Sequence, residues 1–163
     1  LFAGEKFFAE NPAVDYIIRG EGEEAFPTLC EKIENGEAGE KIIDAPYFSD
    51  FTESGIYYGE TGEYPHGLVY YESVRGCPFS CAFCLSSAVE GVRAKSAAKT
   101  LADLAEFEAF DTPLTVKLVD RTFNFDRERA KTIWRGLLDG GYTKCYHFEV
   151  AAHLLDDKHM FQD

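Results

Sequence analysis

From Leu68 onward, apolar positions alternate between two periods. Leu68-Val69-Tyr70-Tyr71-Glu72-Ser73-Val74 is a strand-like run. Residues 97–110 then space Leu101, Leu104 and Ala105 as the inward stripe of a helix. Pro113 precedes a second strand, Leu114-Thr115-Val116-Lys117-Leu118-Val119. Asp126 is placed to cap a helix that carries Ala130, Ile133, Trp134, Leu137 and Leu138 inward and stops at Gly140-Gly141. A third strand, Cys145-Tyr146-His147-Phe148-Glu149-Val150, leads to Asp156 and the start of a third helix. Strand–helix alternation of this kind predicts an α/β fold with a parallel sheet and right-handed crossovers.

The first part of the chain has the same grammar on a smaller scale. Val14-Asp15-Tyr16-Ile17-Ile18-Arg19 predicts a short strand ending at Gly20. Phe26, Leu29, Cys30 and Ile33 then fall on one face of a helix over residues 23–34. Pro27 is tolerated only near a helix start, so the helix is expected to begin at Glu23 or Glu24. Residues 35–65 read as a linker rich in glycine, with Asn35-Gly36 closing the helix, Pro46 interrupting, and a small hairpin expected over 56–64.

Charge marks the same division. The net charge is −13; residues 1–64 hold 15 acidic and 4 basic side chains, residues 65–163 hold 14 and 12. Such an acidic field argues against binding a phosphate backbone, which needs clustered Lys and Arg. With 45% hydrophobic and 15% aromatic residues, the 163-residue chain can bury a core. No apolar run approaches the ~20 residues of a membrane span. The opening Leu1-Phe2-Ala3-Gly4 has no signal-peptide character and no initiator Met, which reads as a fragment. Unpaired cysteines in this context point to a reducing cytoplasm.

The chemistry concentrates in Arg75-Gly76-Cys77-Pro78-Phe79-Ser80-Cys81-Ala82-Phe83-Cys84, where three cysteines are spaced C-x3-C-x2-C directly after a strand. Clustered thiolates suit a soft metal centre. A four-iron cluster needs a thiolate on each iron, so three leave one iron open to a non-protein ligand. A structural zinc site is the alternative; it wants four ligands, and only His66 is near enough upstream to be the fourth. A third reading is a metal-free scaffold fragment. Cys30 and Cys145 stand alone within apolar patterns and read as buried small hydrophobes.

The segment Arg75-Gly76-Cys77-Pro78-x-x-Cys81-x-Phe83-Cys84 resembles the signature of the radical S-adenosylmethionine (radical SAM) enzymes. The resemblance implies a [4Fe-4S] cluster on Cys77, Cys81 and Cys84, with Phe83 beside the adenine of S-adenosylmethionine chelated at the open iron. Reductive cleavage of that sulfonium would give a 5'-deoxyadenosyl radical. It also implies a partial TIM-type (β/α) barrel over residues 66–163, about three of six strand–helix units. Parts of the cofactor surface on later strands would then lie outside this chain. Val14–Glu23 resembles the last strand and turn of a cobalamin-binding domain, so 1–34 would be the tail of such a domain. No Asp-x-His-x-x-Gly signature is present, and cobalamin is expected only in an intact parent. The stretch Val119-Asp120-Arg121-Thr122-Phe123-Asn124, with Arg129-Ala130-Lys131, Trp134 and His147-Phe148-Glu149, resembles a cobalamin-linked branch often labelled as anaerobic magnesium-protoporphyrin IX monomethyl ester cyclase-like, oxidative cyclase or methyltransferase in type. A small-molecule substrate and an electron donor are the partners implied.

Strand ends are where such folds place function. Arg75, Asp120-Arg121-Thr122 and Glu149 occupy them. By resemblance, Asp120 or Glu149 would hold the ammonium of the methionine moiety; Asp120 also fits as the cap of a turn. His147 and Glu149 share a strand face opposite Tyr146, Phe148 and Val150, which should meet the helices. Strand 145–150 would be an exposed edge, able to pair with a second copy.

Overall fold

The structure, a computed structural model, describes residues 4–56, 67–88 and 91–155. Contacts divide the chain into two units, residues 1–50 and 51–163. The hairpin expected over 56–64, except Ile56, and the third helix from Asp156 lie outside the described residues.

The first unit contains helix α1 (Glu5–Glu10), strand β1 (Ile17–Arg19), helix α2 (Gly22–Glu34) and strand β2 (Ile42–Asp44). β1 and β2 pair in parallel, Ile17 opposite Ile42 and Arg19 opposite Asp44. β2 lies in the stretch whose glycines and proline read as linker. A three-residue strand has too few residues to show a period, so its pairing is invisible locally. The turn after β1 requires glycine: Gly20 has φ +114°, and a Cβ there would sit 2.2 Å from the Ala45 carbonyl oxygen. Helix α2 begins earlier than expected, and Pro27 falls in its second turn, where it forfeits the hydrogen bond to the Glu23 carbonyl. Of the predicted stripe, Leu29 is buried, while Phe26 and Ile33 are 60% and 46% exposed. Two three-residue strands give a full helical stripe too little surface to cover.

The second unit has two small sheets. Strands β3 (Leu68–Tyr71), β6 (Thr115–Leu118) and β7 (Cys145–His147) form one, parallel, in the order β3-β6-β7. Val69 stands opposite Val116, and Val116 opposite Tyr146. Strands β4 (Val74–Gly76) and β5 (Val92–Ala94) form the other, antiparallel. Helices α3 (Ala97–Glu108) and α4 (Arg127–Asp139) supply the crossovers within the three-stranded sheet. The class is mixed α/β with small sheets, and no closed barrel forms among the described residues.

Both helices start on designed-looking caps for plain chemical reasons. The Ser96 hydroxyl accepts from Lys99 N–H at 3.1 Å, and the Asp126 carboxylate accepts from Arg129 N–H at 3.0 Å. Both pack on one face of the sheet. Val69, Tyr71, Leu104, Phe107, Val116, Leu118, Phe123 and Ile133 form the centre of the core. Within the helices the inward sets differ from the sequence reading in two places. Phe107 takes the place expected for Ala105, and Leu138 is 80% exposed, one position past the buried Leu137. Ala105 and Leu138 lie a full helical step around from the sheet, so only the true 3.6 period separates them from the core.

Strand alternation leaves the other face of this sheet uncovered among the described residues. Tyr70 and His147 are exposed there, with Lys117 half-buried. Cys145, expected inside, is exposed on the same face, because alternation sends Tyr146 to the helices and 145 and 147 away from them. Tyr146 and Phe148 do pack against the core, Phe148 at 4.5 Å between ring centres from Phe123. Among the described residues β7 is an edge strand of the sheet, as is β3.

Glu108, at the last turn of α3, fastens the entry to β7. It accepts from Thr143 N–H (2.9 Å) and hydroxyl (2.8 Å), Lys144 N–H (3.1 Å) and Tyr146 hydroxyl (2.6 Å). Burial works to raise its pKa, but the Tyr146 and Thr143 bonds outweigh that and hold it at about 2, against an ordinary 4.5. A depressed carboxylate stabilises the fold fully above its unfolded pKa and loses that contribution as pH falls through the folded value. Glu108→Gln is expected to cost about 1–2 kcal/mol at neutral pH, the lower part of the range for bonds to charged groups because the site is half-buried. Urea unfolding of both proteins should show the difference shrinking between pH 4.5 and pH 2.

A candidate cofactor site at the cysteine loop

β4 and β5 hold the two ends of the cysteine loop together, with Gly76 paired to Val92. Gly76 has φ +89°, and a Cβ on it would lie 2.1 Å from the Gly91 carbonyl oxygen, so the residue before Cys77 cannot carry a side chain. Sequence reading makes 68–74 one continuous strand. The structure breaks it after Tyr71 and starts a new strand at Val74, because Ser73 and Val74 turn their N–H groups inward to Asp120.

Along the loop, Cys77 and Cys84 are half-buried and Cys81 is exposed, none of them in a disulfide. Cys84 N–H donates to the Cys81 carbonyl at 3.0 Å. Cys77 Sγ lies 3.5 Å from Thr122 Oγ1, just beyond β6. Phe79 stacks obliquely on His153, beyond β7, at 5.2 Å between ring centres. The loop therefore touches the segments that follow both of the other parallel strands. Phe83 is 93% exposed.

Asp120 is fully buried and accepts from Ser73 N–H (2.7 Å), Val74 N–H (2.9 Å) and the Ser73 hydroxyl. These are the bonds of a turn cap, made across the sheet to β3 rather than to its own following turn. Arg129 donates to the same Ser73 hydroxyl from Nη2 at 2.8 Å, to Thr100 Oγ1 at 3.2 Å, and from Nε to the Lys95 carbonyl at 2.8 Å. Its Nη1 is buried without a hydrogen-bond partner among the described residues. Burial pushes the Asp120 carboxyl up against these donors and lowers the Arg129 pKa.

A second buried set lies alongside. Asp103 accepts from Tyr71 hydroxyl (2.8 Å), from Lys95 Nζ (3.0 Å) and from Lys99 Nζ. Lys95 also donates to the Ser54 carbonyl at 2.7 Å and lies over the Phe51 and Tyr71 rings. Burial works to raise the Asp103 pKa, yet the bonds from Lys99, Tyr71 and Lys95 bring it below the ordinary value, while burial pushes Tyr71 up.

Glu149 is half-buried with its carboxylate 3.7 Å from Lys117 Nζ, and its carbonyl accepts from Phe123 N–H at 2.9 Å. Arg75 pairs with Glu72 at 2.8 Å and stacks on Phe51. Thus Cys77 and Thr122 meet, while Asp120 is engaged by the Ser73–Val74 turn, Glu149 lies near Lys117 and Phe83 is exposed. Sequence reasoning did not single out Ser73, Thr100, Lys95 or Asp103, and quoted Arg129 only within a longer motif. The spacing of Lys95, Lys99 and Asp103, four residues apart twice, was the available signal. Asn124 was quoted only within a longer motif; it clamps Ala151 through both its main-chain groups, at 3.0 and 2.8 Å.

No three His, Cys, Asp or Glu side chains among the described residues converge closely enough to hold a metal ion, and His66 lies outside them. The donor chemistry of the loop nonetheless fits a thiolate-bound cluster: three cysteines in eight positions, all at least partly accessible, on an irregular segment anchored at both ends.

Two curated proteins resemble this chain. The uncharacterized methyltransferase sll1242 of Synechocystis is 28% identical over 93% of the chain and 29% of its own length. The uncharacterized methyltransferase PH0819 of Pyrococcus horikoshii is 26% identical over 79% of the chain and 33% of its own length. The chain thus spans about a third of the relatives it matches. No family model matches it, and no solved structure matches it.

Removing the Asp120 carboxylate strands two buried N–H groups and a hydroxyl and takes a negative charge away from Arg129. Asp120→Ala is expected to cost roughly 3–5 kcal/mol, the range for breaking a buried charged network. Chemical denaturation should show this, with Asp120→Asn recovering part of the loss through its remaining acceptor oxygen.

Proposed function

We propose that the chain is the cluster-binding segment of a radical SAM enzyme of the methyltransferase type, acting on a small molecule and fed by an external electron donor. The observation that carries this reading is the C-x3-C-x2-C loop, tethered at the C-terminal edge of a parallel sheet to segments after both neighbouring strands. The names of the two relatives supply the methyl-transfer class. An uncovered sheet face bearing Tyr70, Lys117 and His147 is what half of a (β/α) barrel would present toward its interior. The parallel β1–α2–β2 unit suits the tail of a cobalamin-binding-like domain, whose cofactor would belong to the intact protein alone.

Cys77, Cys81 and Cys84 would hold a [4Fe-4S] cluster, which when bound supplies the electron that cleaves S-adenosylmethionine. Gly76 and the β4–β5 pairing set where Cys77 leaves the sheet. Exposed Phe83 is available to flank a planar purine. Glu149 presents a carboxylate to an ammonium group at the same edge, with Lys117 as its present partner. Asp120, committed to Ser73 and Val74, holds the turn that feeds the loop and acts on a ligand through that turn.

The test is anaerobic reconstitution with iron and sulfide, followed by metal analysis and electron paramagnetic resonance of the reduced protein with and without S-adenosylmethionine. About four irons per chain and a signal altered by the sulfonium are expected. Cys81→Ala should lose iron uptake while unfolding at the same denaturant concentration, because Cys81 is exposed and outside the core. Zinc without sulfide, no metal at all, or full cluster uptake by Cys81→Ala would overturn the assignment.

A further inference from the structure

We propose that Thr122 is a positioning residue for the first cysteine ligand: its hydroxyl donates a hydrogen bond to Cys77 Sγ and lowers the electron density on that sulfur when it binds metal, an inference that rests on the cluster reading above. The hydroxyl lies 3.5 Å from the sulfur, and Thr122 is only 3% exposed. No other hydrogen-bond partner of that hydroxyl occurs among the described residues. In the thiol form either group can donate. A metal-bound thiolate carries no hydrogen, so the buried hydroxyl must then be the donor.

Its aim is fixed by its surroundings. Thr122 is β-branched and so restricted at χ1. On one side, Asp120 is locked to Ser73 and Val74; on the other, Phe123 N–H is bonded to the Glu149 carbonyl and the Thr122 carbonyl accepts from Phe125 N–H at 3.2 Å. Cys77 is fixed from its own side by the Gly76–Val92 pairing. The two groups are thus brought together by separate anchors, one on each sheet. Hydrogen bonds to cluster sulfurs favour the reduced, more negative state and raise the reduction potential.

The experiment uses the full chain and compares wild type with Thr122→Val, which keeps the shape and loses the hydroxyl, and Thr122→Ser, which keeps the hydroxyl. After anaerobic loading, iron and sulfide are counted. The midpoint potential is then measured by titration with dithionite, monitored by paramagnetic resonance. Wild type and Thr122→Ser should agree, and Thr122→Val should load iron but titrate at a more negative potential. Equal potentials in all three fully loaded proteins overturn the inference and leave the cluster reading intact. A wild-type chain that takes up no iron overturns both. Should Thr122→Val fail to fold by circular dichroism, Thr122→Ala provides the same loss of the hydroxyl and the same two outcomes.

Discussion

A carboxylate with no access to water sits where the parallel strands β3 and β6 end, and the geometry around the cysteine loop follows from how it is satisfied. Asp120 takes two N–H groups and a hydroxyl from the Ser73–Val74 turn. That arrangement forces the chain after β3 to bend instead of extending, and the bend creates the separate strand β4. Arg129 from α4 reaches the same serine hydroxyl and the Lys95 carbonyl at the start of α3. One small cluster of polar atoms therefore joins β3, β6, α3 and α4 at the edge where the loop emerges. Apolar packing alone would hold the layers together but would leave this edge undirected.

Beneath it, the Tyr71–Asp103–Lys95–Lys99 set makes the same compromise. A buried lysine and a buried aspartate are each costly alone and are tolerable because every strong donor is met. Lys95 closes β5 to the core through its side chain while its N–H bonds the Ser73 carbonyl. The loop's return strand is thereby fixed as firmly as its departing one.

Much of this was legible from residue order. The alternation of strand and helix, the cap at Asp126 and the split of His147 from Tyr146 and Phe148 across a strand all follow from local periods. What escaped is long-range. β2, β4 and β5 are three residues each, and their identity lies in a partner 16 to 25 positions away rather than in a pattern. Asp120 could be placed at a strand end but not assigned its donors, because those come from a turn 46 and 47 residues earlier. Cys145 misled because its neighbours are apolar; strand phase, not neighbourhood, decides exposure.

That exposed cysteine bears on how the thiols of this protein are counted. Cys145 lies on the uncovered face of the sheet, outside the loop, so an alkylating reagent finds it whether or not Cys77, Cys81 and Cys84 are engaged. Protection of the loop would appear as a drop in labelling to a residual level, never to nothing, and a mass-resolved assay would find that remainder on the peptide of the third parallel strand, apart from any on half-buried Cys30 of α2.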